Sequence, residues 1–358
     1  MRIGIIGAGQ LGLMLGEAAE ALGMECVFVD PSETPPATST GRVIQAPFDN
    51  EAALAELGQS CDVITYEFEN VPVEALEHIP GDTPLYPPPA ALGVAQDRKN
   101  EKALFAELGI PVPANRSVDT LEELEAAIDE LGMPAVVKTR RFGYDGKGQV
   151  VIREAADVQR AFDTLSPQPL IVEAFVPYDF EVSIIGARSP SGETTTWPLS
   201  RNEHRDGILR TARGPVDDDA LYAMARDYIG RLLDHLDYVG VLTLELFVAD
   251  GKLLANEIAP RVHNSGHWTI EGAETSQFAN HLLAITAQPL GATALRGSPG
   301  MVNIIGDFPA AARDLDDERL FLHDYGKSPR PGRKLGHITV VAASEKERDE
   351  LLTTLDKL

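Results

Sequence analysis

Short apolar strands alternate with helices over the first hundred residues, and this alternation constrains the fold more than any other feature of the chain. Apolar runs bounded by turn residues predict strands at residues 2–6, 25–30, 63–65 and 84–86. Apolar positions at helical spacing predict a helix over residues 11–22, between the first two strands. Strands that alternate with helices form parallel sheets, because a parallel connection needs a long crossover. Residues 1–95 are therefore predicted to form an α/β domain with a parallel, doubly wound sheet.

A second pattern surrounds the proline-containing linker at residues 109–113, where each proline fixes φ and removes a hydrogen-bond donor. Residues 96–290 contain strands joined by short turns, with helices between them, and the strands are predicted at residues 135–139, 148–152, 170–174, 180–187, 194–199, 208–212, 239–248 and 252–258. This order predicts an α+β domain built on an antiparallel sheet. Residues 291–358 are predicted to form a small β-rich domain, with strands at 301–305 and 335–342 and a helix after Ser344.

The composition excludes several classes of protein. The chain has 55 acidic and 31 basic residues and a formal net charge of −24, so it would repel nucleic-acid backbones and anionic membranes. No segment approaches the roughly 20 apolar residues of a membrane span, and the N-terminal apolar run is too short for a signal peptide. We therefore expect a cytoplasmic protein without nucleic-acid or membrane partners. Cys26 and Cys61, the only cysteines, are predicted to be buried thiols.

The first strand leads into the glycine-rich turn Gly7-Ala8-Gly9-Gln10-Leu11-Gly12, and Asp30 ends the second strand. This is the G-x-G-x-x-G context of dinucleotide-binding domains, in which the acidic residue binds a ribose hydroxyl. One interpretation is therefore an NAD-dependent dehydrogenase. The other is that the glycines only permit a tight turn into a helix whose N-terminus faces a different anion. We favour the second because the middle domain specifies a nucleotide site better.

That nucleotide site begins at Lys138, which ends an apolar strand directly before a loop at residues 140–149. Gly143, Gly146 and Gly148 would let the loop bring backbone N–H groups and Lys147 over phosphates. The loop is not a Walker A motif, because no Gly-Lys-Ser/Thr sequence leads from it into a helix. The alternatives are an ordinary hairpin loop and a surface lysine.

Two acidic residues interrupt otherwise apolar strands: Glu245 lies within residues 241–247 and Glu257 within residues 253–258. A three-residue turn centred on Gly251 would place the glutamates directly opposite each other. A two-residue turn would instead place Asn256 opposite Glu245. In both cases the carboxylates converge, and adjacent carboxylates combined with phosphate oxygens suit Mg²⁺. The alternative is an exposed acidic hairpin, which the flanking leucines disfavour.

Other polar residues border these strands. Glu173 ends one strand and Glu181 begins the next, where a carboxylate can accept hydrogen bonds from ribose hydroxyls or simply be solvated. The loop at residues 261–268 is rich in donors and could bind an anionic substrate. His263 and His267 within it do not form a zinc-ligand pattern with any cysteine or acid, so a transition-metal site is not expected.

These residues, in this order, resemble the ATP-grasp superfamily and, within it, the 5-(carboxyamino)imidazole ribonucleotide synthetase family of purine biosynthesis. The resemblance covers nearly the whole chain and is carried by residues 9–12, 140–149, 206–211, 256–268 and 330–337. The most specific segment is Asn256-Glu257-Ile258-Ala259-Pro260-Arg261-Val262-His263-Asn264-Ser265-Gly266-His267-Trp268. The resemblance implies an ATP-grasp fold with an N-terminal Rossmann-like (pre-ATP-grasp) parallel-sheet domain and a small β-rich C-terminal domain.

The resemblance also implies a reaction. In this family, ATP and bicarbonate carboxylate the amino group of 5-aminoimidazole ribonucleotide through carboxyphosphate, and ADP and phosphate are released. The implied cofactors are ATP and Mg²⁺, with Mn²⁺ as a possible replacement. The implied partners are the two small-molecule substrates and a second copy of the chain in a homodimer.

The roles that the resemblance implies are assigned by motif. The residues expected to contact ATP are Arg98, Lys138, Gly143, Tyr144, Asp145, Gly146, Lys147, Gly148, Gln149, Glu173, Ala174, Phe175, Val176, Glu181, His204, Asn256 and Glu257. The metal ligands are Glu245 and Glu257. The residues expected to contact the other substrates are Tyr144, Asp145, Arg261, His263, Asn264, Ser265, Lys327, Arg333 and Lys334. The residues expected to act in catalysis are Arg261, His263, Asn264 and Asp145, with the amine proton passing to His263 or Asp145 as a hypothesis.

Three other functions fit part of the sequence. The first is another ATP-grasp carboxylase or ligase, such as a formate-dependent glycinamide ribonucleotide transformylase or a biotin carboxylase; residues 262–268 and 330–337 favour the purine carboxylating family over it. The second is the NAD-dependent dehydrogenase. The third is a non-catalytic nucleotide-binding relative, which the intact Lys138, Glu245 and Glu257 disfavour.

Overall fold

The computed structural model describes residues 1–143 and 146–357. The strands in these ranges are β1 (Arg2–Ile6), β2 (Glu25–Asp30), β3 (Gly41–Gln45), β4 (Val63–Tyr66), β5 (Asn115–Val118), β6 (Ala135–Thr139), β7 (Gln149–Ile152), β8 (Leu170–Ala174), β9 (Phe180–Arg188), β10 (Thr194–Thr196), β11 (Ser200–Arg205), β12 (Ile208–Arg213), β13 (Gly240–Ala249), β14 (Lys252–Ala259), β15 (Ser298–Ile305), β16 (Leu320–Asp324) and β17 (Lys334–Ala342). The α-helices are α1 (Gln10–Ala21), α2 (Glu51–Ser60), α3 (Pro89–Ala95), α4 (Arg98–Glu107), α5 (Leu121–Leu131), α6 (Ala156–Leu165), α7 (Asp219–His235), α8 (Thr269–Gly272), α9 (Gln277–Ile285), α10 (Ala310–Arg313) and α11 (Glu345–Leu355).

The N-terminal sheet is parallel, with strand order β3-β2-β1-β4, as the alternation of strands and helices predicts. The strand predicted at residues 84–86 does not form. Only Leu85 pairs there, in an isolated parallel bridge to Ile64. Pro84 and Pro87 flank this position without N–H donors, which limits the ladder to one bridge.

The central sheet is built mainly from antiparallel pairs and has the order β14-β13-β9-β11-β12-β15-β17-β16, with β10 paired to β9. One face of β9 and β13 packs its apolar side chains against α7, where Leu221, Ile229 and Leu232 are buried. The strands after residue 290 join this sheet because β15 pairs with β12. The sheet therefore runs across the predicted boundary between the middle and C-terminal regions.

A third sheet, with order β5-β8-β6-β7, is antiparallel throughout. Helices α5 and α6 cover it and share its core, which includes Leu124, Val137 and Val172. Lys138 on β6 pairs with Ile171, and Glu173 on β8 pairs with Val136, so the two side chains lie on the same face of the sheet, two positions apart. This sheet thus supplies one wall of a cleft against the central sheet.

Two buried tryptophans lie in the core behind this cleft. Trp268 donates to Ser200 Oγ at 2.8 Å, and Trp197 donates to the carbonyl of Thr275 at 3.0 Å. Each indole thus combines apolar burial with a satisfied N–H group. Elsewhere both thiols are free; Cys26 is buried as predicted, whereas Cys61 is partly exposed. In the part of the chain that the structure describes, no helix is both long and apolar enough to cross a membrane.

Candidate active site

A tight turn joins the two strands that carry the paired glutamates. Ala249 pairs with Lys252, so the turn between β13 and β14 consists of two residues. Asp250 and Gly251 have φ values of 49° and 68°. Positive φ at both central residues is what a type I′ hairpin turn requires. Of the two turn lengths that the sequence leaves open, the structure has the shorter one.

A β-bulge nevertheless places the glutamates opposite each other. Leu246 pairs with Ala255, but Glu245 pairs with Glu257, so Asn256 is an extra residue in β14. A bulge of this kind puts two residues of one strand against one of its partner. Because directly opposed residues of an antiparallel pair share one face of the sheet, both carboxylates lie on the cleft side.

The two carboxylates of this pair have different electrostatic environments. Burial, together with the charge of Glu257, raises the pKa of Glu245 to about 7. Burial also opposes ionisation of Glu257, but Arg98 donates to its Oε2 at 2.7 Å and lowers its pKa. At neutral pH the charge of Glu257 is therefore offset by Arg98. Glu245 would need a further positive charge nearby to be stable in its ionised form.

Lys138 and Glu173 form a buried ion pair beside the glutamates. Lys138 Nζ donates to Glu173 Oε2 at 2.8 Å, and Lys102 Nζ lies 3.3 Å from the other carboxylate oxygen. Burial opposes ionisation of Glu173, yet the charges of Lys138 and Lys102 lower its pKa to about 2. Burial, with the charges of Arg98 and Lys102, lowers the pKa of Lys138, and Glu173 offsets this effect only in part. Phosphates placed here would supply the negative charge that this group of cations lacks.

The residues present fit a divalent cation. Beneath the cleft, the cations Arg98, Lys102 and Lys138 face the anions Glu173 and Glu257. Burial raises the pKa of the neighbouring Glu101 to about 8. Burial and the charge of Glu257 disfavour ionised Glu245, and a cation held by Glu245 and Glu257 would offset both effects. No group of three or more His, Cys, Asp or Glu residues is arranged to hold a metal in residues 1–143 and 146–357. Phosphate oxygens and water would therefore complete the oxygen coordination that Mg²⁺ prefers.

The glycine-rich loop after β6 packs against the turn between β11 and β12. Gly146 and Gly148 both have φ of 73°, which side-chain-bearing residues rarely adopt. A Cβ on Gly146 would lie 2.9 Å from the Cα of Gly207, and one on Gly148 would lie 2.6 Å from Thr139 Oγ1. These two glycines are therefore required by both conformation and space.

The rest of this loop leads back into the small sheet. Gln149 begins β7 and pairs with Lys138, so it lies beside the lysine that is predicted to contact phosphate. Lys147 precedes it by two positions. Tyr144 and Asp145, which the resemblance assigns to ATP, to the other substrates and, for Asp145, to catalysis, lie outside the described residues.

Exposed aromatic side chains border the end of β8. Ala174 is its last residue, and Phe175 and Tyr178 follow with 40% and 43% of their surface exposed. Val176 lies between them. Large exposed apolar side chains at the rim of a cleft mark a surface that a ligand can cover. This is where the resemblance places the adenine ring.

Glu181 and His204 form an ion pair across β9 and β11. Burial opposes protonation of His204, but the hydrogen bond and charge of Glu181 raise its pKa above the ordinary 6.5. Burial likewise opposes ionisation of Glu181, and His204 lowers its pKa overall. A charged pair therefore stabilises the fold around the site predicted to bind ribose.

We expect the ion pair to give the protein a pH-dependent stability. Because the pKa of His204 is higher in the folded chain, its contribution is complete below the unfolded value near 6.5 and is lost as pH rises through the folded value. His204→Gln should therefore destabilise the protein at pH 6 and much less at pH 9. Thermal unfolding without nucleotide or Mg²⁺ measures this difference. The exposed His235→Gln is the control; equal losses at both pH values for His204→Gln would contradict the assignment.

Two side chains of the donor-rich loop are held by acids. Arg261 donates to Glu69 Oε2 at 2.5 Å, and His263 Nε2 lies 3.1 Å from Glu245 Oε1. Burial and the charge of Arg261 keep the pKa of His263 well below its ordinary value. Ser265, predicted to face substrate, is instead fully buried with its Oγ 2.9 Å from His263 Nδ1. The hydroxyl lies beneath the imidazole and fixes its orientation.

Asn264 is held by a residue that the sequence analysis did not identify. Asn303, fully buried on β15, donates to Asn264 Oδ1 at 2.7 Å and accepts from Asn264 Nδ2 at 3.1 Å. The amide of Asn264 also lies 3.0 Å from His267 Nδ1. Asn303 lies in an otherwise apolar strand. Its single amide in that apolar run was the only sequence feature that could have identified it as a site residue.

The glycine turn before α1 does not present a dinucleotide site. Asp30 Oδ2 accepts the N–H of Ala8 at 2.9 Å, and Glu67 Oε1 accepts the N–H of Gly9 at 2.7 Å. A Cβ on Gly7 would lie 2.7 Å from Glu67. The backbone donors and the ribose-binding acid of the fingerprint are thus used within the domain, which agrees with the tight-turn interpretation.

A cavity of about 540 Å³ connects the N-terminal turn with the glutamate pair. The predicted site residues that line it are Arg98, Gly143, His204, Glu245, Glu257, Arg261, His263, Asn264 and Lys334. Lining residues that the sequence analysis missed include Gln10, Glu67, Glu69, Glu101 and Arg140. The other predicted residues that the structure describes do not line it: Lys138, Gly146, Lys147, Gly148, Gln149, Glu173, Ala174, Phe175, Val176, Glu181, Asn256, Ser265, Lys327 and Arg333. Of these, Lys327 contacts the side chain of Gln10 through its Nζ.

The comparisons with known proteins agree with this geometry. The chain matches models of the ribonucleotide synthetase preATP-grasp domain over residues 1–96, the ATP-grasp domain over 103–278 and the phosphoribosylaminoimidazole carboxylase C-terminal domain over 300–351. It is 48% identical over 343 residues to N5-carboxyaminoimidazole ribonucleotide synthase from Pseudomonas aeruginosa, covering 96% of this chain and 95% of that protein. A relative from Brucella melitensis with the same name is 46% identical over 344 residues, covering 94% and 95%.

Solved structures give the same result. The crystal structure of the synthetase from Thermus thermophilus has a TM-score of 0.95 and 48% identity, covering 99% of this chain and 98% of that one. The Aspergillus clavatus enzyme, in complex with ADP and 5-aminoimidazole ribonucleotide, has a TM-score of 0.91 and 30% identity, covering 99% and 98%. The predicted ATP-grasp fold is confirmed, and this chain belongs to the N5-carboxyaminoimidazole ribonucleotide synthase family of ATP-grasp ligases.

Proposed function

We propose that the cleft between the small and central sheets carries out the ATP- and bicarbonate-dependent carboxylation of 5-aminoimidazole ribonucleotide. The observation that carries the proposal is the opposed pair Glu245 and Glu257, with phosphate-binding cations on one side and the donor-rich loop on the other. Arg98 and Lys138 supply the positive charge for the phosphates of ATP. The exposed edge after β8 takes the adenine, and Glu181 takes the ribose.

In this proposal Glu245 and Glu257 hold Mg²⁺, or Mn²⁺ in its place. When bound, such a cation neutralises charge on the phosphates and holds them in line with the attacking oxygen. Phosphoryl transfer depends mostly on positioning and electrostatic stabilisation, so buried and pre-aligned cations are effective here. Lys138 and Arg98 provide that arrangement from the protein itself.

The proposed reaction has two steps. A bicarbonate oxygen attacks the γ-phosphorus, the bond to the β-phosphate oxygen breaks, and ADP and carboxyphosphate form. The amine nitrogen of the ribonucleotide then forms a bond to the carboxyl carbon, phosphate leaves, and one amine proton is removed. Arg261 and Asn264 lie where they can orient anionic groups, and Lys334 extends the positive charge toward the substrate phosphate, with Lys327 and Arg333 as further candidates.

The experiment that tests the function is phosphate release from ATP in the presence of Mg²⁺ and bicarbonate, with and without 5-aminoimidazole ribonucleotide. We expect strong stimulation by the ribonucleotide. Nucleotide binding without stimulation would move the substrate assignment to another ATP-grasp ligase. Carboxylated product is measured in the same samples, so that the ratio of product to phosphate is known.

Among the residues that the structure describes, His263 is the candidate for accepting the amine proton. Its Nε2 faces the cleft beside Glu245 and its Nδ1 is fixed by Ser265. His263→Asn should lower the ratio of carboxylated product to phosphate released, because carboxyphosphate would meet water before it loses its carboxyl group to the amine. The control is His323→Asn, outside the lining of the cavity. An unchanged ratio in both His263→Asn and Asp145→Asn would contradict a proton-accepting role for either residue.

Two further properties are part of the proposal. A cytoplasmic location is supported by the acidic composition and by the consumption of ATP. A homodimer is supported by the resemblance alone, and sedimentation of the purified chain tests it.

A further inference from the structure

Helix α4 covers the β-bulge that brings the two glutamates together. β14 is an edge strand of the central sheet, so part of its backbone has no strand partner. α4 presents Arg98, Glu101 and Lys102 on one face, at positions i, i+3 and i+4. Arg98 binds the carboxylate of Glu257, as described above. Lys102 and Glu101 contact the backbone of the two residues that flank Glu257.

These backbone contacts are short and specific. Lys102 Nζ donates to the carbonyl of Asn256 at 2.6 Å. Glu101 Oε1 accepts the N–H of Ile258 at 2.6 Å. The residue before the bulge is tied down as well, since the N–H of Ala255 donates to the carbonyl of Pro111 at 2.7 Å. The edge of β14 around the bulge is thus held by the helix and the linker that follows it.

The proposed reaction alone does not explain why Glu101 and Lys102 are buried. Only 1% of Glu101 and 3% of Lys102 is exposed. Burying ionisable side chains is costly, and apolar side chains would fill the space at lower cost. Burial raises the pKa of Glu101 to about 8, and Lys102 has Glu173 3.3 Å away as its opposite charge. Their hydrogen bonds to β14 are what apolar residues could not make.

We propose that Glu101 and Lys102 are positioning residues, which hold the bulge and thereby fix the face of the sheet on which the Glu257 carboxylate lies. The inference rests on the proposed role of Glu245 and Glu257 in binding the metal–nucleotide complex. Without the bulge, the register would place Asn256 opposite Glu245. A shift of one residue turns every following side chain to the other face of a strand, so Glu257 would leave the cleft.

The test measures ADP binding by calorimetry, once in excess Mg²⁺ and once in EDTA. The ratio of the two dissociation constants gives the strengthening that Mg²⁺ provides. Glu101→Ala removes the acceptor and Lys102→Met removes the donor, and each should lower this ratio by about tenfold, the usual effect of losing a residue that orients a metal ligand. Glu101→Gln keeps an acceptor oxygen and should retain most of the ratio.

The exposed face of α4 provides matched controls. Glu107→Ala and Lys99→Met should leave the ratio unchanged. If the unaltered protein shows no strengthening by Mg²⁺, the proposed metal site itself is wrong. If it does and both Glu101→Ala and Lys102→Met behave like it, the positioning role is wrong. An equal loss in Glu101→Gln and Glu101→Ala would also overturn it, because charge would then matter and the backbone bond would not. Should Glu101→Ala fail to fold, Lys102→Met decides.

Discussion

Replacing Glu257 by glutamine should lower ribonucleotide-stimulated phosphate release by about 10²–10³-fold, the usual cost of removing one pre-aligned electrostatic group from an active site. Glutamine has the size of glutamate, so the hairpin and its bulge can remain. The charge that opposes Arg98 at 2.7 Å is lost, and the pair with Glu245 keeps only one carboxylate for a cation. Steady-state phosphate release at saturating ATP and Mg²⁺ measures the effect.

Glu274→Gln is the matched control for this prediction, because Glu274 is an exposed acid outside the cleft. It should retain the full rate. A Glu257→Gln protein with at least a tenth of the unaltered rate would contradict the assignment of Glu257 to the metal–phosphate site. A simultaneous collapse of thermal stability would show instead that the substitution disturbed the fold, which circular dichroism distinguishes.

Replacing Lys138 by methionine should affect both activity and stability. The substitution leaves Glu173 buried with Lys102 as its remaining ion-pair partner. Breaking a buried ion pair typically costs about 3–5 kcal/mol of unfolding free energy, and the remaining lysine places the expectation near 3 kcal/mol. The rate should fall by about 10²-fold, because a cation at the phosphates is removed. Denaturant titration and phosphate release measure the two quantities.

A double variant separates these two effects. Lys138→Met combined with Glu173→Gln removes both members of the buried ion pair, and the glutamine oxygen can still accept a hydrogen bond from Lys102, so part of the lost unfolding free energy should return. The catalytic rate should stay low, since the phosphate-binding cation is still missing. If the rate returned together with the stability, Lys138 would have a structural role only.

The sequence was most informative where apolar runs are continuous. The runs at residues 135–139 and 170–174 predict β6 and β8 with the bounds that the structure has. β11 was missed because its sequence, Ser-Arg-Asn-Glu-His-Arg, contains no apolar residue. Its Ser200 and Asn202 are nevertheless buried. Burial of a polar strand depends on hydrogen-bond partners from distant parts of the chain, such as Trp268, which periodicity does not reveal.

The candidate site was likewise predicted only in part from the sequence. Interrupted apolar strands predict that Glu245 and Glu257 converge, and the structure pairs them. The bulge that produces this pairing was not predictable, because it depends on α4 reaching across from more than 150 positions earlier in the chain. Gln10, Glu67 and Glu69 were missed for a similar reason: they belong to the N-terminal sheet and meet the cleft only through domain packing.

The continuity of the central sheet sets how this enzyme can move. The glutamate pair lies at one edge, and Lys334 begins β17 on the far side of the same hydrogen-bonded framework. The spacing between the glutamate pair and Lys334, which the proposed function assigns to phosphate transfer and to the substrate phosphate, is therefore fixed by backbone hydrogen bonds. The four-stranded sheet β5-β8-β6-β7 is separate from this framework, so under the proposed function it is the part that we expect to move when nucleotide enters or leaves. Under the proposed function, the residues of the central sheet would therefore keep their relative positions while ADP leaves.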